Sequence, residues 1–159
     1  MREELDKQLC EKYPKIFRDR NSPMNETAMC WGFSCGEGWY NIINNLCACI
    51  QHHIDWVEKR RQWEVEKGVE TGEPGYPRTP HVEQVVAMQV KEKFGGLRFY
   101  YSGGDEQIHG MVRMAEAMAA TTCEECGTPG SWRTGGWMRT LCDEHELERQ
   151  QRLKERFIE

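Results

Sequence analysis

Two pairs of metal-capable side chains limit what this chain can become: Cys123-Glu124-Glu125-Cys126 and, after fifteen intervening residues, Cys142-Asp143-Glu144-His145. Within each pair the donors stand three positions apart, so one tight turn or one helical turn aims both at a single ion. The C-x2-C, x15, C-x2-H set matches a closed tetrahedral zinc site of three thiolates and one imidazole. A redox dithiol would account for Cys123 and Cys126 alone but leaves the second pair without a reason. Four protein ligands leave no position for water. The pattern therefore predicts Zn2+ in a structural, non-catalytic role on Cys123, Cys126, Cys142 and His145.

The residues between the pairs fit that reading. Gly127 follows the second cysteine, where a knuckle turns its amides toward the sulfurs and a Cβ is a burden. Residues 131 to 140 read as a short hairpin around Gly135-Gly136. A helix then carries Cys142 and His145 in its first turn and runs through Leu147 and Leu153 toward Phe157. Knuckle, hairpin and helix give a treble-clef-like order for residues 121–159.

Upstream, the longest helical signal starts at Trp39. Ile42, Ile43, Leu46, Cys47, Ile50, Ile54 and Val57 recur at steps of three and four, so one face is core, and the helix is expected to reach about Lys67. Trp56, Arg60 and Trp63 make a second stripe, read either as another packed face or as a partner surface. A short helix over residues 3–12 precedes it, limited by Pro14. Residues 1–67 are thus a helical half. The glycines and prolines of residues 68–80 make a loop.

Residues 81–120 complete an α+β core of helices packed with an antiparallel sheet. With Gly95-Gly96 as a two-residue turn, Lys93 opposes Arg98 and Glu92 opposes Phe99. One face of this hairpin gathers Met88, Val90, Phe94, Leu97, Phe99 and Tyr101. The other gathers Gln89, Lys91, Lys93, Arg98 and Tyr100. Opposed like charges are unfavourable unless an anion or a carboxylate compensates. The face is a solvated charged surface, an anion platform with Lys91, Lys93 and Arg98 on phosphates and Tyr100 stacking a base, or a surface for a protein partner. Arg133 and Arg139, interleaved with Trp132 and Trp137, extend that platform in the second reading. A helix follows from Asp105 to Ala120, with Met111, Met114 and Met118 read as gap-filling core residues.

The net charge of −5 argues against a dedicated duplex-DNA binder, whose affinity comes from a broadly basic surface, but leaves a local basic patch open. No apolar run approaches a membrane span, and residues 1–10 carry charges where a signal peptide is hydrophobic. Together with the thiolate set this predicts a reducing, cytoplasmic setting in which Cys10, Cys30, Cys35, Cys47 and Cys49 are free thiols. A second metal on Cys30, Cys35, Cys47, Cys49, His52 or His53 stays open, although these lack the paired spacing of the first set. No nucleophile motif, phosphate loop or open metal site is visible. An enzyme is the least supported class, its one candidate being Glu92 with His81 or His109.

The stretches GEGWYNIINNLCACIQ, QVKEKFGGLRFYYSGG and CEECG with GWMRTLCDEH, in this order, resemble a family of small uncharacterised proteins of tailed bacteriophages and prophages. The resemblance covers most of the chain after Gly32. It implies a phage accessory protein made inside the bacterial host and brings no catalytic residues with it; by analogy with phage accessory proteins in general, countering a host system is the expected role. The resulting expectation is a non-catalytic, zinc-stapled protein that binds an anionic nucleotide or nucleic-acid segment on the basic, aromatic sheet face. A protein–protein inhibitor or adaptor of a host or phage protein is the alternative.

Overall fold

A computed structural model describes residues 1–69 and 75–156. Part of the Pro/Gly loop expected at 68–80, and the end of the last helix at Phe157, lie outside the described residues.

The expected stripe builds the central helix α2 (Tyr40–Glu66). Its seven apolar positions from Ile42 to Val57 are all buried, and full burial of an Ile or Leu side chain is worth about 1.5–3 kcal/mol. Helix α1 (Glu3–Lys12) buries Leu9 in the same core, and Tyr13 just beyond it donates its hydroxyl to the Asn44 carbonyl of α2 at 2.9 Å. Arg20 holds Asp6 through two hydrogen bonds of 3.0 Å, which fixes the chain as it leaves α1. Helix α3 (Glu106–Ala119) begins where the Asp105 carboxylate accepts the Ile108 N–H at 3.0 Å, an N-cap that satisfies one otherwise unpaired donor. The other Asp105 oxygen meets His53 of α2 at 2.8 Å.

These helices cover one face of a three-stranded sheet. Strand β1 (Phe33–Ser34) runs parallel to β2 (Glu83–Lys93), which pairs antiparallel with β3 (Gly96–Gly104). The architecture is α+β as expected, but the sheet is mixed and not purely antiparallel. A two-residue strand paired to positions 57 residues away has too few side chains to show a period in the sequence.

The hairpin forms with a different turn. Lys93 pairs with Gly96, so Phe94-Gly95 makes the turn, with φ of 53° and 79°. Lys91 then opposes Arg98 and Glu92 opposes Leu97, in place of the Lys93–Arg98 and Glu92–Phe99 pairs expected from a Gly95-Gly96 turn. The offset is even, so the two faces keep their membership near the turn. Val90, Leu97 and Phe99 are buried while Lys93 and Tyr100 are exposed. Two expected inner residues depart. A bulge between Ala87 and Gln89 expels Met88 and buries Ala87, and the turn itself lifts Phe94 into solvent.

Two further core assignments are corrected. Met114 and Met118 are exposed on α3, where with Met111 they line a groove of about 390 Å³ against Ile42, Leu46 and Cys49 of α2. Trp56 and Trp63 are exposed as well, with Arg60 over the Trp63 ring, so the second stripe of α2 is not a packed face. The C-terminal part comprises a small hairpin, β4 (Ser131–Arg133) with β5 (Arg139–Leu141), and helix α4 (Asp143–Arg156). The loop closing that hairpin spans residues 134–138 and not two glycines alone, though Gly135 and Gly136 supply its positive φ.

Candidate metal centre

The four expected ligands converge. One donor atom from each of Cys123, Cys126, Cys142 and His145 lies within 4.8 Å of every other, and this is the one Cys/His/acid group among the described residues that meets this geometry. Cys126 Sγ is 3.9 Å from Cys142 Sγ, while His145 Nδ1 is 3.6 Å from Cys123 Sγ and 3.1 Å from Cys142 Sγ. Cys142 immediately precedes α4 and His145 falls in its first turn. The arrangement can hold a metal ion. Cys30, Cys35, Cys47, Cys49, His52 and His53 form no second such group among the described residues.

The local backbone explains the convergence. The Gly127 N–H closes a turn on the Cys123 carbonyl at 2.9 Å, and Gly127 has a φ of 77° that an L side chain rarely adopts. The Cys123 N–H binds the Thr128 carbonyl at 2.8 Å, and the Glu124 N–H binds that of Thr140 at 2.9 Å, which ties the first pair to β5. Amides and hydroxyls aimed at the sulfurs favour thiolates. The His145 N–H, ahead of the other contacts, draws Cys142 down to about 6. The Thr128 hydroxyl, 3.1 Å away, and then its N–H lower Cys126. Burial pushes Cys123 up, opposed by the N–H groups of Cys142, Cys126 and Glu125. A thiolate is the form that ligates. Three thiols elsewhere in the fold differ: burial pushes Cys10 and Cys35 up to about 12 and pushes Cys47 up as well, as suits inert packing groups.

The centre is mounted on the core through residues 36–39, at the entrance to α2. The Gly38 N–H donates to the Glu124 carbonyl at 2.8 Å, the Gly36 N–H to the Glu124 carboxylate at 3.0 Å, and the buried Trp39 indole to the Thr122 carbonyl at 2.8 Å. A Cβ on Gly36 would meet the Glu124 carbonyl, and one on Gly38 the Cys123 carbonyl. Glu124, only 4 % exposed, also receives Arg139 through Nε at 3.0 Å and Nη2 at 2.9 Å. The signal available in the sequence was the pair of glycines flanking Glu37 just before a tryptophan.

The β2–β3 tip is the other seat. Thr140 Oγ1 donates to the Gly95 carbonyl at 2.6 Å, Trp132 Nε1 to the Phe94 carbonyl at 3.2 Å, and Trp137 Nε1 to Glu92 at 2.9 Å. Glu92 also accepts the Gly95 N–H at 2.7 Å. Glu92 therefore serves the turn and is not paired with His81, which lies by Glu58, or with the exposed His109.

The residues expected to bind an anion fall in two groups. Lys91, Lys93, Arg98 and Tyr100 share the outer sheet face. The Lys91 ammonium stands 5.9 Å from the Tyr100 ring centre, and both line a shallow cleft of about 440 Å³ bordered by Glu26. Arg98 opposes Lys91 in the register, gives Nη1 to the Leu97 carbonyl at 2.7 Å, and lines the next cleft with Phe94 and Trp132. Among the described residues, no carboxylate lies within ion-pairing distance of Lys91, Lys93 or Arg98. Arg133 and Arg139 are occupied: Arg133 by Asp143 and the Leu141 carbonyl, Arg139 by Glu124 and by Glu125 at 2.7 Å. No helix among the described residues is long and apolar enough to cross a membrane. No family model, curated protein or solved structure matches the chain.

Proposed function

We propose that the chain is a non-catalytic, phage-type accessory protein in which a structural Zn2+ staples a treble-clef-like module to an α+β core, and that the outer sheet face binds an anionic nucleotide or nucleic-acid segment. Zinc suits the donor set. Bonds of about 2.3 Å to sulfur and 2.0 Å to nitrogen give tetrahedral edges of about 3.5–3.8 Å, close to the separations of Cys126 from Cys142 and of Cys123 from His145. The order knuckle, hairpin, helix supports the treble-clef reading, and the three sequence stretches support the phage one. With all four donors from protein, the ion supplies rigidity to the fold.

The observation that carries ligand binding is the pair Lys91 and Arg98. They face each other across two strands with no carboxylate within ion-pairing distance among the described residues, an arrangement that costs stability unless an anion compensates. Arg98→Ala should then change stability by less than about 0.5 kcal/mol. It should weaken pyrophosphate or a nucleoside triphosphate by about 1.5–3 kcal/mol, the worth of a hydrogen bond to a charged group. Isothermal titration of wild type and Arg98→Ala at low salt measures this, and equal affinities would return the face to a solvated surface. A protein inhibitor or adaptor is the second reading, favoured by one observation: Trp56 and Trp63 stand exposed on α2 with Arg60 between them.

A further inference from the structure

Phe94 occupies an unusual position for an aromatic residue. It has a φ of 53° in the left-handed region, which bulky side chains avoid, and its ring is 59 % exposed, so neither local conformation nor burial accounts for it. Glycine or asparagine would suit the turn better. Strained backbone carrying an exposed ring is a pattern of binding sites. Beside it, Trp132 is 54 % exposed although its indole N–H is fixed to the Phe94 carbonyl and its ring lies against Gly95. The Trp132 ring and the Phe94 backbone are therefore held in place, while both rings are open to solvent.

They continue a track. From Tyr100, which has Lys91 over its ring, the outer face passes to Arg98 opposite Lys91. Lys93 follows, its ammonium 5.6 Å from the Phe94 ring, and Phe94, Arg98 and Trp132 line one cleft. Rings at the two ends, Tyr100 at one and Phe94 with Trp132 at the other, flank the three cations Lys91, Arg98 and Lys93. Two carboxylates share these clefts: Glu116 lines the one with Phe94, Arg98 and Trp132 and accepts the Phe99 N–H at 3.1 Å, and Glu26 lines the one at the Tyr100 end. The span from the Gln89–Tyr100 pair to the tip is five residues, about 17 Å at the rise of a strand.

We infer that this track is a binding site for single-stranded nucleic acid, with bases stacked on Tyr100, Phe94 and Trp132 and phosphates held by Lys91, Lys93 and Arg98. The inference rests on the anion-binding reading above and narrows its ligand. A duplex keeps its bases stacked on each other and presents no faces to the rings, whereas a single strand offers both faces and charge. Arg133 and Arg139 take no part, since acidic partners hold them.

The test uses the full purified chain and three fluorescent probes of about 15 nucleotides: a deoxythymidine strand, a uridine strand and a duplex. Inorganic pyrophosphate serves as the bare anion. Single strands should bind more tightly than the duplex. Phe94→Asn, which accepts the left-handed turn, and Tyr100→Ala should each weaken strand binding by about 5- to 150-fold, as loss of one stacked base does. Phe94→Asn should leave pyrophosphate binding unchanged and the melting temperature equal or higher, which separates a lost ring from a lost fold. A difference between the two strands would identify the preferred sugar. If pyrophosphate binds and Lys91→Gln weakens it, while Phe94→Asn and Tyr100→Ala leave strand binding as in wild type, the stacking inference is overturned and the anion site stands. If neither strands nor pyrophosphate bind, both are overturned and a protein partner takes their place.

Discussion

At the scale of single residues, the most constrained positions are those where the backbone of one segment touches that of another. Gly38 is such a point: its amide meets the Glu124 carbonyl, and a Cβ would strike the Cys123 carbonyl and crowd the Gly127 amide. Gly38→Ala should therefore cost about 1–3 kcal/mol, the usual price of overpacking, read as a lower denaturation midpoint. Gly110→Ala, with open space at its Cβ, is the control. Glu64 gives a pH prediction. Its carboxylate, 3 % exposed, accepts the Thr79 N–H at 2.8 Å, the Thr79 hydroxyl at 2.7 Å and Arg60 Nε at 3.1 Å. These donors, Thr79 first, hold it down at about 2. Because the folded value is below the unfolded one of about 4.3, the stabilisation is full above that value and fades as pH falls toward 2. Thermal melts between about pH 6, above that window, and about pH 2.5, near its lower end, should show Glu64→Gln destabilised at the upper end and the gap to wild type narrowing toward the lower. A constant gap would remove Glu64 from the acid response. Neither Gly38 nor Glu64 announced its role in the sequence, because each acts on a partner distant along the chain.

At the scale of elements, what could be read in advance was what repeats locally. The α2 stripe from Ile42 to Val57 is buried at every expected position, since a period of 3.6 residues is set by the helix itself. The Cys/His set was legible for the same reason: each pair closes within one turn. The β2–β3 register was not, because two adjacent glycines attract the turn to themselves on propensity grounds. The structure instead places Phe94 at the first turn position, where its carbonyl and that of Gly95 are bonded by Trp132 and Thr140. The exposed Met114 and Met118 were misread because their spacing continues the apolar side of α3, and periodicity cannot tell whether a neighbour covers it. This account makes Thr140 a determinant of the turn. Thr140→Val keeps the shape but removes a buried donor, leaving the Gly95 carbonyl without it, at about 1–3 kcal/mol. Amide exchange at residues 94–97 should quicken well beyond what the change in global stability produces. Uniform quickening across the sheet would mean that the turn is set by the strands alone.

At the scale of the whole molecule, the Cys/His module joins two parts of the core: the 36–39 segment entering α2, through Glu124 and Thr122, and the β2–β3 tip, through Thr140, Trp132 and Trp137. Structural zinc contributes on the order of 10–16 kcal/mol to folding of small modules, far more than any of these hydrogen bonds. Loss of the ion should thus release both seats together with residues 121–156. The α2 stripe and its contact with α3 bury their own apolar surface and should persist. Freshly purified protein should carry about one zinc per chain. Chelation, or Cys126→Ser, should raise amide exchange at residues 36–40 and 92–97 as well as in the module, while residues 42–57 and 108–119 stay protected. Binding to the outer sheet face should weaken in step, since Phe94 and Trp132 are held by the module. Protein free of zinc as purified would remove the staple altogether. Exchange confined to residues 121–156 after chelation would show that the tip and the entrance to α2 hold their shape without it, and that the module is an appendage and not a brace.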